Sequence, residues 1–342
     1  MPPRVKRASV PAGSFIIWTV PAQEETLSRL AQISNLQVLQ DAPLSRYTRF
    51  GIGGPADVYV QTEHEPSFIE ALRWVQSSGT PYAVIGGGTN LVVSDAGFHG
   101  VVLRLTARRI ESTGICVQAE AGAELQDLVN YTISRGLKGL ETMTGIPGSV
   151  GAAVYGNAGA YGHSIMERVQ QVRFFDGEQV RVFSNAECEF HYRESVFKRH
   201  KDWVIFSTSL HMEAAPPHDL SETATGILNT RNEKYPPAMK CAGSIFKNLI
   251  LSELPARVRE MVPARVIREG KVPSAFFLEE VGAKGLRHGD IHVAEYHANL
   301  IYNAGHGTAR ELRDVIDDLK TRVERRFGLE LEEEVQYVGF AE

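Results

Sequence analysis

The sequence predicts an α+β protein of at least two lobes, and three observations carry that expectation. Segments with strand character are interleaved with segments of helical periodicity along most of the chain. At 342 residues the chain has the length for two cores or more. The run Pro216-Pro217-His218 marks a change of character near residue 215. The expected division is an extension and short helix over residues 1–40, a first domain over 41–214 and a second over 215–342.

The elements follow in order. Leu27, Leu30, Ile33 and Leu36 recur at helical spacing and predict a short amphipathic helix. Residues 56–60 read as a strand. Pro66 opens a helix whose Ile69, Leu72 and Val75 share a face, and Gly79 ends it. Residues 83–85 form a strand feeding a triple glycine, and 91–93 and 101–103 are further strands. Leu125, Leu128, Val129 and Ile133 share one face of a helix that Gly136 caps. Residues 169–175 and 179–183 flank Asp176-Gly177, a hairpin signal. Thr308 and Glu311 make a capping box ahead of Leu312, Val315, Ile316, Leu319 and Val323. Lys320, Arg322, Arg325 and Arg326 crowd the end of that helix, where cations complement its dipole. A final strand is expected from about Leu331 to Val338.

Composition narrows the function classes. Hydrophobic residues make up 43% and charged residues 23%, as in a soluble globular protein. The net charge is -5 with Lys and Arg scattered, which gives no case for nucleic acid. No apolar run approaches the ~20 residues that span a bilayer. Arg4, Lys6 and Arg7 before Ser14-Phe15-Ile16-Ile17-Trp18 faintly suggest a signal peptide, but the stretch is short and broken by Pro21, so it reads as a dispensable extension. Cys116, Cys188 and Cys241 are odd in number and widely spaced, suggesting neither a disulfide framework nor a metal site, and a cytoplasmic location is expected. His292, His297 and His306 lack a metal-like spacing with carboxylates, so no metal is expected.

Two glycine-rich stretches carry the chemistry. Gly145-Ile146-Pro147-Gly148-Ser149-Val150-Gly151-Ala152-Ala153, followed by Asn157-Ala158-Gly159-Ala160-Tyr161-Gly162, reads as a backbone surface moulded round a ligand. Gly86-Gly87-Gly88-Thr89-Asn90-Leu91 offers a second such surface. It is not a dinucleotide fingerprint, because an apolar strand follows where a helix should begin. It is either a nest of backbone N–H groups for a pyrophosphate or a plain turn. Gly51-Ile52-Gly53-Gly54 adds weight to the ligand reading.

Among side chains, Arg193 offers a planar fork for a carboxylate, or makes a surface salt bridge. Ser244, after Gly243, is a ligand contact or a loop serine; no nucleophile elbow surrounds it. Glu330, Glu332 and Glu334 share one face of the tail by strict alternation, and nothing local singles out Glu334.

Over roughly residues 40–340 the chain resembles the UDP-N-acetylenolpyruvoylglucosamine reductase family, flavoenzymes of peptidoglycan precursor synthesis. The resemblance rests on Tyr47-Thr48-Arg49-Phe50-Gly51-Ile52-Gly53-Gly54-Pro55-Ala56-Asp57, on the two glycine-rich stretches, and on Tyr192-Arg193-Glu194-Ser195-Val196-Phe197-Lys198. Gly243 to Asn248, His297-Ala298-Asn299 and the tail from Leu331 to Gly339 extend it. It implies an FAD-binding lobe of the vanillyl-alcohol-oxidase type followed by a smaller α+β substrate-binding lobe. The implied reaction is reduction of a UDP-sugar enolpyruvyl ether, with reducing equivalents passing from NADPH through FAD.

By the resemblance, FAD lies against Gly53, Gly54, Gly86 to Leu91, Gly145 to Ser149, Gly151, Ala152, Asn157, Gly159 and Ala160. Ser244 is the proton donor, and Arg193 and Glu334 flank the substrate carboxylate. Tyr161, Lys247, Asn248 and His297 match positions near the substrate. Two departures stand out: Leu249 replaces the usual proline, and residues 249–271 form an insertion. The stretch between Trp203 and Arg231 is too short for the tyrosine-bearing substrate loop of one subtype. The rival readings are a flavin oxidase of the same fold and a flavin- or nucleotide-sugar-binding protein without catalysis.

Overall fold

A computed structural model describes residues 20–340, and the basic and apolar extension before Val20 lies outside the described residues. The first helix, α1 (Val20–Ala31), is shorter than the periodicity predicts. Gln32 N–H donates to Arg29 and Ile33 N–H to Leu30, tightening the last turn. Asn35 then takes a left-handed φ of 61°, a conformation asparagine tolerates, and redirects the chain. Ile33 therefore follows the helix rather than lying on it, yet it stays buried in the same core as Leu30.

Next come β1 (Gln37–Pro43), β2 (Pro55–Thr62), α2 (Glu65–Ser77), β3 (Tyr82–Val84), β4 (Leu91–Val93) and β5 (Phe98–Leu105). Four of the strands form a sheet in the order β1-β2-β5-β3. The pairings β2-β5 and β3-β5 are parallel, as the α2 crossover requires. Pro66 sits in the first turn of α2, where its missing N–H goes unneeded. Phe68, Leu72 and Val75 of α2 pack on Val58, Val60, Val101 and Leu103.

The second layer holds β6 (Ile110–Thr113), β7 (Cys116–Glu120), α3 (Leu125–Ser134), α4 (Val150–Tyr155), β8 (Gly159–Ala160), β9 (His163–Ser164), β10 (Val169–Phe175), β11 (Val180–Ser184) and β12 (Val204–His211). Its five-stranded sheet runs β11-β10-β12-β7-β6. The expected hairpin joins β10 to β11, with the Asp176 carboxylate accepting from the N–H groups of Glu178 and Gln179 at 2.9 and 2.8 Å. Leu128, Val129, Val150 and Val154 of α3 and α4 cover Val117, Val172, Phe174 and Leu210. The Gly/Ala stretch thus contains a helix, and its small residues let it approach closely. A Cβ on Gly151 would lie 2.8 Å from that of Ala121.

The rest comprises α5 (Pro217–Lys234), β13 (Lys240–Ser244), β14 (Leu249–Ile250), α6 (Ala256–Met261), β15 (Lys271–Val272), α7 (Ser274–Glu280), β16 (Arg287–His288), β17 (Ile291–Ala294), β18 (His297–Asn303), α8 (Ala309–Phe327) and β19 (Gln336–Val338). Its main sheet is β13-β18-β17-β16. The apolar stripe of α8 packs Leu312, Val315, Ile316, Leu319 and Val323 into a core with Ile291, Val293 and Ile301. The insertion closes through β14 and β15 and adds Leu254, Val258 and Val262 to that core.

The capping box of α8 is complete: Thr308 Oγ1 accepts from Glu311 N–H, and the Glu311 carboxylate accepts from Thr308 N–H at 2.8 Å. Thr308→Ala is expected to lower stability by ~1 kcal/mol, read from the midpoint of urea unfolding.

The tail corrects one expectation. Only Gln336–Val338 forms a regular strand, pairing in parallel with β4 of the first sheet region. The residues before it run beside the chain after β13, with Lys247 N–H donating to Glu332 (2.9 Å) and Glu334 N–H to Ile245 (2.7 Å). One extended segment thus serves two partners in succession. Glu334 sits where it passes from one to the other.

Candidate active site

A cleft of about 600 Å³ opens between these layers, within the range of cofactor sites. Its lining includes Gly86, Gly87, Gly88, Thr89 and Asn90 from the loop between β3 and β4, and Leu91 at the start of β4. Ser149, Gly151 and Ala152 line it from the start of α4. The glycines are required by close approach. A Cβ on Gly87 would stand 3.2 Å from the Gly148 Cα, and one on Gly86 2.9 Å from Ser149 Oγ. Gly88 has φ of 67°, with the Tyr47 carbonyl where a side chain would begin. The N–H groups of residues 86–90 find no acceptor among the described residues. A run of free backbone donors beside a cleft of this size suits a flavin's pyrophosphate without any helix dipole.

At one end of the cleft stand Arg193 and Glu334. Arg193 Nε donates to Glu334 Oε1 at 2.7 Å, and its Nη2 donates to the Gly159 carbonyl at 3.0 Å. Nη1 has no acceptor among the described residues and is open to a carboxylate. Each side chain is 24% exposed. Glu334 is held by its own backbone: its N–H donates to Ile245, and its carbonyl accepts from Asn90 Nδ2 at 2.8 Å. The glycine loop, the acid and the chain just after Ser244 therefore meet at one point. Ser244 ends β13, and its Oγ lies 3.3 Å from the Tyr235 hydroxyl.

Other expected site residues lie elsewhere. Gly53 and Gly54 pack against Val93 and the backbone of residues 95–97, outside the cleft lining. Gly145, Ile146, Pro147 and Gly148 support the cleft from behind: Gly145 N–H donates to Gln126, and the Pro147 carbonyl accepts from Thr89. Asn157 is buried, with its amide donating to the His191 carbonyl at 2.8 Å. Gly159 and Ala160 form β8, so Gly159 acts as Arg193's anchor. Tyr161, with φ of 54°, and Gly162 make the exposed tip of the β8–β9 hairpin. The Asn248 backbone N–H donates to the Tyr192 hydroxyl at 3.3 Å.

Lys247, which the resemblance puts near the substrate, is engaged by two acids. Its ammonium donates to Glu194 at 2.7 Å and to Glu332, and its side chain is 9% exposed. Two carboxylates therefore hold its ammonium.

His297 Nδ1 accepts from Asn299 N–H at 3.1 Å. Burial, with help from Lys234 and Lys284, pushes its imidazole down to about 4. It is neutral at working pH in the folded protein and takes a proton more readily when unfolded. Stability should therefore fall as pH drops from about 6.5 toward 4. His297→Gln should flatten that part of a pH–stability curve measured by urea unfolding.

Sequence reasoning missed Tyr155, Trp203 and residues 336–338, all of which line the cleft. Tyr155 had a local signal, an aromatic between Val154 and Gly156 in a stretch of small residues. The tail had none, because only its pairing with β4 brings it there.

Among the described residues, no helix is long and apolar enough to cross a membrane. Residues 235–338 match the profile of the UDP-N-acetylenolpyruvoylglucosamine reductase C-terminal domain, and residues 56–182 match that of an FAD binding domain. The chain is 63% identical to the UDP-N-acetylenolpyruvoylglucosamine reductase of Solibacter usitatus, across 91% of this chain and 100% of that one. It is 38% identical to the reductase of Rubrobacter xylanophilus, across 87% and 94%. The crystal structure of UDP-N-acetylenolpyruvylglucosamine reductase from Thermus caldophilus superposes with a TM-score of 0.68 at 27% identity, covering 89% of this chain and 98% of that one.

Proposed function

We propose that this chain, which belongs to the UDP-N-acetylenolpyruvoylglucosamine reductase family, reduces UDP-N-acetylglucosamine enolpyruvate to UDP-N-acetylmuramate in cytoplasmic peptidoglycan precursor synthesis. FAD is the cofactor and NADPH the reductant. The observation that carries this reading is the Arg193–Glu334 pair lining a glycine-rich cleft, one residue's contact away from Ser244.

The backbone of Gly86 to Asn90 and the start of α4 would hold the flavin, and the Arg193 end of the cleft would receive the substrate carboxylate. When bound, FAD supplies a hydride relay from the nicotinamide to the substrate's terminal vinyl carbon. The chain's own residues handle the charge that follows. Negative charge builds on the carbon next to the carboxylate, and Arg193 offsets it. Ser244 gives that carbon its proton and regains one from solvent, so two hydrogens are added and NADPH leaves as NADP⁺. A serine hydroxyl is a weak acid, and its competence rests on the basicity of an enolate and on positioning. Tyr161, Asn248 and His297 shape the substrate's surroundings. Residues 41–214 serve mainly the flavin and 215–342 mainly the substrate.

Steady-state assay tests this reading. NADPH oxidation should depend on the enolpyruvyl sugar, and the product should be heavier by two hydrogens. Fast turnover with oxygen as sole acceptor would instead indicate an oxidase.

A further inference from the structure

We propose that Glu194, Lys198 and Lys247 are positioning residues that clamp Arg193 and Glu334 into their working geometry, an inference that rests on the function proposed above. Arg193 needs such a clamp. Its φ of 58° is left-handed, a conformation that L side chains avoid. It sits in a tight turn closed by two backbone bonds between His191 and Glu194, at 3.0 and 3.1 Å. Strained backbone persists only where its surroundings over-determine it.

The surroundings here are ionic. Lys198 Nζ donates to the Arg193 carbonyl at 2.8 Å and to Glu194 Oε1 at 3.0 Å. The same Glu194 oxygen accepts from Lys247 Nζ at 2.7 Å, and Lys247 also donates to Glu332. Lys247 thus ties the residue after Arg193 to the residue two before Glu334. Its own backbone N–H donates to the Glu332 carbonyl, so side chain and main chain make the same link. The two lysines are 13% and 9% exposed, enough burial to give their hydrogen bonds weight. Burial opposes ionisation of Glu194, but Lys247 and Lys198 outweigh it and keep the carboxyl below its ordinary range. Lys247 likewise overcomes its burial through Glu194 and Glu332 and stays above its ordinary range. Glu194 and Lys247 are therefore both charged at neutral pH. The network leaves neither lysine free for a substrate phosphate.

The test uses the FAD-loaded full chain and the variants Glu194→Gln, Lys247→Met, their double, and Glu332→Gln. Amide exchange across residues 191–195 should rise several-fold in the first three. The limiting rate at which the enolpyruvyl sugar reoxidises NADPH-reduced enzyme should fall about 10- to 100-fold, as misplacement by an ångström can cost. The half-saturating sugar concentration should change little. The double variant should be no slower than the slower single, since both break one network. Glu332 is 71% exposed, so its variant should fold normally and lose about two- to fivefold.

Unchanged exchange in Glu194→Gln and Lys247→Met would overturn the clamp. So would a rise in half-saturating sugar at constant limiting rate in Lys247→Met alone, with Glu194→Gln unaffected, because Lys247 would then be a direct substrate ligand. If exchange rises but the wild-type protein is not reoxidised by the sugar, the clamp stands and the proposed function fails.

Discussion

Ser244→Ala is expected to slow reoxidation of the reduced protein by the enolpyruvyl sugar about 10²- to 10⁴-fold, the range that a positioned proton donor contributes. Reduction by NADPH should proceed at its normal rate, because the serine hydroxyl has no part in that half of the reaction. The substitution removes one half-buried hydroxyl whose side-chain hydrogen-bond partner is the Tyr235 hydroxyl at 3.3 Å. Stability should therefore change by no more than about 1 kcal/mol. Stopped-flow absorbance of the two half-reactions separates them. Equal slowing of both would mean that Ser244 supports the cleft rather than protonating the substrate.

Arg193→Met is expected to cost about 10²- to 10³-fold in the same step, typical for loss of a preorganised charge facing a developing anion. Substrate affinity should also fall, because a carboxylate loses its partner. The variant leaves Glu334 without its cation at 24% exposure, and the Gly159 carbonyl without its donor. Arg193→Lys should recover only part of the rate, since an ammonium cannot reach Glu334, Gly159 and a substrate carboxylate together as a planar fork does. Full activity in Arg193→Lys would show that charge alone suffices.

Much of the fold was legible because its signals are local. The capping box at Thr308, the proline opening α2 and the glycine after α3 each act within one turn of chain. Gly86 to Asn90 is likewise distinguishable from a dinucleotide fingerprint by a local feature, the strand that follows it. Long-range partners were not legible. The carboxylates that hold Lys247 lie 53 and 85 residues away in the sequence, beyond the reach of any local pattern. Glu334 could not be separated from Glu330 and Glu332 by alternation. What separates them is the switch of the tail from residues 244–247 to β4, a choice of pairing that no local pattern encodes. Gly53 and Gly54 share their residue type with the glycines that line the cleft, yet their space is filled by the Val93 side chain and the backbone of residues 95–97.

The most direct test of the account is the visible spectrum of the purified protein without oxygen, recorded before and after NADPH and again after UDP-N-acetylglucosamine enolpyruvate. The account predicts a yellow protein that NADPH bleaches and the enolpyruvyl sugar restores. A protein that stays colourless and takes up no FAD would contradict it at the cleft. One that stays bleached after the sugar would contradict the proposed chemistry of Arg193 and Ser244.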